Sequence, residues 1–131
     1  MWYGMKKITA ALLISAVCLV GSCSKSPTKT VSGKQKEELI AFANAVCKAA
    51  RDAKPRDFVS MAGNPRDREL KGYYDYLRGI KIADKPEWQV ESNLEDASDY
   101  FVFFKNSGGT KVTMEISRDQ GGKLKFSSVT D

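Results

Sequence analysis

Three hydrophobic patterns follow one another along the 131-residue chain. Residues 8–20 form a predominantly apolar run that contains no charged residue. Between residues 39 and 53 the apolar residues recur every three or four positions, which predicts an amphipathic helix. From Trp88 onward they recur every two positions, which predicts strands of a sheet with one buried face. The order of these patterns predicts an α+β fold in which the helices come first.

The helical part is predicted to contain one long helix and two short ones. The long helix begins near Ser32, whose spacing to Gln35 fits a capping box. It ends before Pro55, which is the first residue of a short second helix. A third helix opens at Asn64-Pro65 and stops at Gly79.

The sheet part is predicted to contain four strands. They cover residues 87–92, 100–105, 110–117 and 123–129. Short glycine-containing turns separate the later strands, which indicates an antiparallel meander. The second of these strands is apolar at every position from Tyr100 to Phe104, so we expect it to be central or covered on both faces. The fold predicted from these patterns is a four-stranded antiparallel meander with the helices packed on it.

The apolar run at the start has the organisation of an export signal. Met5-Lys6-Lys7 gives it a positive start, and residues 8–20 are too few to span a bilayer comfortably. The run ends at Val20-Gly21-Ser22-Cys23, which resembles the lipobox of bacterial lipoproteins. That resemblance implies cleavage between Ser22 and Cys23 and attachment of a diacylglycerol to the Cys23 thiol. A secretory signal cut elsewhere, or an uncleaved anchor that happens to contain a cysteine, is the alternative.

The lipobox divides the chain into three parts. Residues 1–22 are the signal peptide, residues 23–33 hold the lipidated cysteine and a flexible tether, and residues 34–131 form a single α+β domain. Residues 24–31 are polar, contain a proline and show no periodicity, and when extended they reach about 25 to 30 Å. If the sorting pattern of the lipoproteins that this segment resembles holds, Ser24, in place of an aspartate, implies the outer membrane with the domain facing the periplasm. The membrane is then a partner through the lipid anchor.

Charge and cysteine content limit the remaining possibilities. Loss of residues 1–22 leaves 19 basic and 16 acidic residues, a net charge of +3, which is too weak for a nucleic-acid-binding surface. With Cys23 lipidated, Cys47 is the remaining thiol, so an intramolecular disulfide is excluded. Cys47 lies on the apolar stripe of the long helix, which predicts a small buried core residue.

Catalytic and metal-binding chemistry has little support in the sequence. The chain contains no histidine, which removes histidine triads, imidazole bases and histidine-containing metal sites. Its glycine pairs lie between strands and are turn residues rather than a phosphate-binding loop. The acidic stretch 93–99 matches no calcium loop. We therefore expect a protein that is not an enzyme and has no catalytic residues, cofactor or metal.

The order of one long helix, two shorter helices and an antiparallel meander resembles the nuclear transport factor 2-like superfamily, or a cystatin-like fold, over residues 34–129. The residues that carry this resemblance are 37–53 leading into Asp57-Phe58-Val59, then Tyr73-Tyr74 and Trp88. In that superfamily the sheet wraps around the helices, and the mouth of the resulting cone binds a small ligand or a partner. The aspartate and histidine of its catalytic members have no match here, which implies a noncatalytic member.

Two functions are compatible with this reading. In the first, the lipid-anchored domain binds a small apolar ligand or a protein segment in a pocket between helices and sheet. The candidate pocket residues, each of which can also be core packing, are Tyr73, Tyr74, Trp88, Phe101, Phe103 and Met114. In the second, the protein is a structural or accessory envelope lipoprotein, such as an assembly factor, an exclusion protein or an inhibitor, that acts through its outer surface. A lined cavity favours the first function and a filled core favours the second.

Overall fold

The computed structural model describes residues 27–131 and arranges them as three helices and one five-stranded sheet. The helices are α1 (Gly33–Arg51), α2 (Pro55–Ser60) and α3 (Leu70–Gly79). The strands are β1 (Thr28–Thr30), β2 (Gln89–Asn93), β3 (Asp99–Lys105), β4 (Lys111–Arg118) and β5 (Leu124–Thr130). The predicted α+β class is confirmed. Within this described range, no helix combines the length and apolar character needed to cross a bilayer.

The five strands lie side by side in chain order, and each pairs antiparallel with its neighbour. Strands β2 to β5 form the predicted meander, with boundaries within two residues of those expected from the alternating pattern. Strand β3 is the middle strand of the sheet. The prediction that this strand is central is confirmed, although its neighbours lie beside it in the plane of the sheet and cover neither of its faces.

The prediction of four strands is wrong by one, because residues 28–30, which the sequence analysis placed in the tether, form β1. This strand is held at both of its ends. The Leu94 amide donates to the Pro27 carbonyl at 3.0 Å, and the Val31 amide donates to the Val90 carbonyl at 2.8 Å. Val31 itself is buried. Three polar residues carry no periodic signal, so only their pairing with a distant strand reveals them as part of the sheet.

The helices cover one face of the sheet, and alternate strand residues point toward them. In β3, Tyr100, Val102 and Phe104 are buried in the core, whereas Phe101 and Phe103 are only partly buried and lie on the other face. Side chains two residues apart share a face of a strand, so this division follows from the pleat. The largest fully buried side chains are Phe58, Phe104, Phe126, Leu39, Leu77 and Met114.

A β-bulge interrupts the alternation in β5. Phe126 and Val129 are both buried although they are three residues apart. The register shifts between Glu115 and Ile116 of β4, which lie opposite Ser128 and Phe126 respectively. The extra residue in β5 therefore returns the later part of the strand to the core face.

Helix α1 begins without the predicted capping box. Ser32 makes no side-chain hydrogen bond to the helix start. Gln35 instead donates from Nε2 to the Tyr100 hydroxyl at 2.7 Å. The glutamine that was expected to cap its own helix thus fastens that helix to β3.

The end of α1 is a Schellman motif. The Lys54 amide donates to the Ala49 carbonyl at 2.9 Å, and the Ala53 amide donates to the Ala50 carbonyl at 3.2 Å. Ala53 has a φ of +56°, a conformation that glycine usually occupies at this position. The helix therefore ends before Pro55, as predicted, but the motif rather than the proline terminates it.

Helix α3 begins later than predicted. Asn64 Oδ1 accepts a hydrogen bond from the Arg66 amide at 3.1 Å, and Asp67 Oδ1 accepts one from the Glu69 amide at 2.9 Å. These short-range bonds hold the backbone in consecutive turns, which compete with a helix. Regular helix starts only at Leu70 and ends at Gly79, where the glycine was expected to stop it.

Candidate interaction surface on the open face of the sheet

The core of the domain is filled by side chains, whereas an open cleft of about 730 Å³ lies outside it, between α2 and the neighbouring ends of β4 and β5. Phe58 and Phe126 are at most 1% exposed, and their ring centroids lie 5.0 Å apart. Met114, one of the predicted pocket residues, has 0% exposure. Met114 therefore packs in the core rather than lining an accessible cavity.

Three of the predicted pocket residues pack against this core from the helical side. The Tyr74 ring meets the Phe58 ring edge-on, with centroids 5.2 Å apart. The Trp88 ring centroid lies 4.9 Å from that of Phe104, and Trp88, which directly precedes β2, is only partly buried. Tyr73 is also partly buried, and burial together with nearby carboxylates raises the pKa of its hydroxyl.

The remaining two predicted pocket residues, Phe101 and Phe103, lie on the opposite face of the sheet, which no described helix covers. The six residues consequently do not line one pocket. The run of β3 is apolar on both faces, and of its four aromatic residues the sequence analysis named Phe101 and Phe103 as pocket residues. Only the structure shows which of them face the helices.

Phe101 and Phe103 line a groove of about 480 Å³ on this open face. The other residues that line the groove are Thr28, Gln89, Glu91, Lys111 and Thr113. Register places Glu91 opposite Phe101, and both Gln89 and Thr113 opposite Phe103. The groove therefore crosses the sheet from β1 to β4. The polar residues of the groove form no recognisable motif in the sequence, although those on β2 and β4 occupy positions that alternate with buried ones.

The groove has a cation on one side and a carboxylate on the other. Lys111 Nζ lies 4.7 Å from the centroid of the Phe103 ring, within range of a cation–π interaction. Thr28 Oγ1 donates to Glu91 Oε1 at 2.7 Å, which fixes that carboxylate beside Phe101. An apolar floor between fixed polar groups is typical of a surface that recognises orientation as well as apolar area.

An ion pair fixes the start of α1 over the covered face. Arg118 Nη2 lies 2.6 Å from Glu38 Oε1, and Arg118 Nη1 lies 3.4 Å from Glu38 Oε2. The hydrogen bond from Arg118 holds the pKa of Glu38 below its usual range. The Arg118 guanidinium also lies 5.8 Å from the centroid of the Tyr100 ring. Together with the Gln35 hydrogen bond, these contacts join the first part of α1 to β3 and β4.

The Cys47 thiol and the acidic turn at residues 93–99 have structural roles. Cys47 is buried, as predicted, and burial raises the pKa of its thiol to about 11. In the acidic turn, Asp96 Oδ1 accepts hydrogen bonds from the amide and hydroxyl of Ser98 at 3.0 and 2.6 Å. Across residues 27–131, no three cysteine or carboxylate side chains are grouped so as to hold a metal ion.

The predicted cleavage between Ser22 and Cys23 and the lipidation of Cys23 lie outside the described residues and stay predictions. No family model, curated protein or solved structure matches the chain. The assignment to a nuclear transport factor 2-like or cystatin-like fold therefore also stays a prediction. The α+β architecture rests on the structure itself.

Proposed function

We propose that this protein is a noncatalytic, lipid-anchored envelope protein that binds a segment of another protein on the open face of its sheet. The observation that carries this proposal is the position of Phe101 and Phe103. They lie in a groove on the uncovered face, while the core of the domain is filled by buried side chains. The proposal favours action through the outer surface over binding inside the domain.

The noncatalytic part of the proposal is supported by the chemistry that remains available. The chain has no histidine. The Cys47 thiol is buried and its pKa is raised to about 11, which makes it a poor nucleophile at neutral pH. The lipid anchor is supported by the lipobox at residues 20–23, and the serine that follows it favours the outer membrane.

A protein segment is favoured as the bound molecule because the groove adjoins the edge strand of the described sheet. Pro27 and Val31 form backbone bonds to β2, so the ladder alternation directs the amides and carbonyls of Thr28 and Thr30 away from β2. An extended segment can pair with these groups and place alternate side chains over the groove. Phe101 and Phe103 would then supply the apolar contact and Glu91 and Lys111 the polar contacts.

Site-specific photo-crosslinking in cells tests the proposal. A photoreactive residue at Thr113, inside the groove, should give a discrete crosslinked protein. The same residue at Asp75, which is exposed on α3, should not. The double variant Phe101→Ser/Phe103→Ser should abolish the Thr113 product. It should still fold, because both rings are only partly buried.

Two results would contradict the proposal. The first is a product of equal yield from positions 113 and 75. The second is a Thr113 product that persists in the double variant while circular dichroism shows it folded. A small apolar molecule recovered from the purified protein, lost in a core variant but not in the groove variant, would instead support an internal pocket.

A further inference from the structure

The chain reaches the sheet at one particular end. Strand β1 starts at Thr28, and Pro27 is already hydrogen-bonded to the β2–β3 loop. At roughly 3.3 to 3.6 Å per residue, the four residues that follow Cys23 and end at Pro27 extend at most about 13 to 14 Å. That is about half of the reach expected for a tether that continues to residue 31. A lipid on Cys23 would therefore hold this end of the sheet close to the membrane.

Two loops share this end of the sheet because the strands are antiparallel. The loop formed by residues 94–98 joins β2 to β3, and the turn formed by residues 119–123 joins β4 to β5. The Arg118 amide donates to the Ser98 carbonyl at 3.0 Å and so links the two. The turn between β3 and β4, which contains Ser107, lies at the opposite end.

Leu94 is the one large hydrophobic residue that is exposed within residues 27–131, with 58% of its surface accessible. A single exposed leucine is ordinary in a soluble protein. This one is distinguished by its position, since its amide donates to the Pro27 carbonyl at 3.0 Å. The exposed apolar side chain thus belongs to the residue that is bonded to Pro27, the first residue that the structure describes.

Acidic residues follow Leu94 in the same loop. Glu95 and Asp96 are both exposed, and Asp99 begins the next strand. Carboxylates resist contact with anionic head groups. The surface that suits this loop is therefore a lipid surface with zwitterionic head groups.

We infer that Leu94 inserts into the head-group region of the membrane that holds the anchor, so that this end of the sheet rests on the lipid. The inference depends on the proposed anchor, because one leucine is too weak to hold a domain at a membrane. The strands then run away from the membrane surface, and the groove on the open face stays accessible from the side. A protein bound in the groove would then lie no farther from the lipid than the height of one small domain.

Tryptophan quenching by brominated zwitterionic phospholipid tests the inference in the full chain. Trp2 and Trp88 are first replaced by phenylalanine. A single tryptophan is then placed by Leu94→Trp or, as the matched control at the opposite end of the sheet, by Ser107→Trp. Each protein is expressed in bacteria and reconstituted into vesicles, and flotation reports membrane attachment. Mass spectrometry of the N-terminal peptide reports acylation separately.

The expected result is strong loss of fluorescence for Leu94→Trp and little loss for Ser107→Trp in vesicles that float. Two further proteins carry their single tryptophan at Ala97→Trp, one with Leu94 retained and one with Leu94→Ser. The fluorescence of the Leu94→Ser protein should be quenched less, because the leucine holds the loop at the lipid. Equal quenching at positions 94 and 107 in floating vesicles would overturn the inference and leave the anchor standing. A chain that is neither acylated nor floats would overturn both.

Discussion

Burial of Cys47 makes a quantitative prediction about stability at alkaline pH. The thiol is 1% exposed, and burial raises its pKa from the ordinary 9.0 to about 11. Between these values the thiol ionises in the unfolded chain but stays protonated in the folded one. Ionisation therefore favours the unfolded state as the pH rises. The stability is complete below the unfolded pKa and falls until the folded pKa is reached.

The size of the effect follows from the difference between the two pKa values. Each unit corresponds to about 1.4 kcal/mol, so a shift of about two units removes about 3 kcal/mol of unfolding free energy across this pH range. The nearby Arg51 acts against burial and favours the thiolate, but its effect is the smaller one. A loss of this size is easily resolved by urea denaturation.

The assay compares the parent protein with Cys47→Ala, with Cys18 and Cys23 replaced by serine in both. Urea unfolding is followed in detergent at several values between about pH 8 and pH 11. Tyr73 and Tyr76 also have raised pKa values, but they affect both proteins equally, so the difference between the curves isolates Cys47. A difference that stays constant with pH would refute the burial argument. Rapid reaction of the folded parent with a thiol reagent would refute it as well.

Three further substitutions test other parts of the structure. Ala53→Gly should raise the unfolding free energy by about 0.5 to 1 kcal/mol, since it relieves a left-handed alanine; equal or lower stability in urea would contradict this. Trp88→Ala should lower the unfolding free energy by about 2 kcal/mol, which is less than the roughly 3 to 5 kcal/mol typical of a fully buried aromatic residue. A loss of about 3 to 5 kcal/mol would contradict the partial burial of Trp88. Cys23→Ala should release the protein from membranes, because each buried acyl methylene contributes about 0.8 kcal/mol. Unchanged fractionation, with no acyl mass on the parent's N-terminal peptide, would reject the lipobox.

The strands that the sequence predicted well are those whose alternation results directly from one-sided burial. In β4, Val112, Met114 and Ile116 are buried and the residues between them are not, so the pattern along the chain is also the pattern in space. Strand β1 has no such pattern. Its residues are exposed and polar, and it forms because the free edge of β2 and the buried Val31 hold it in place.

The candidate site was harder to predict because it depends on which face of a doubly apolar strand is covered. Phe101 and Phe104 look alike in the sequence, and only the position of the helices separates one from the other. The Ser32 and Gln35 pair failed for a related reason. Gln35 can bond either to the start of its own helix or to a group elsewhere in the fold, and the sequence does not show which group is near. In the structure its Nε2 donates to the Tyr100 hydroxyl at 2.7 Å.

The pairing of β1 with β2 also has a mechanical consequence. Tension on the N-terminal side of the domain reaches β1 before it reaches any helix. Hydrogen bonds between antiparallel strands run across the strand direction, so a pull along β1 loads several of them in shear at once. If β1 detaches, three residues join the tether and lengthen it by about 10 Å, while α1 and strands β2 to β5 keep their own contacts. The first strand is therefore a short length of chain whose release would lengthen the tether while the rest of the domain stays folded.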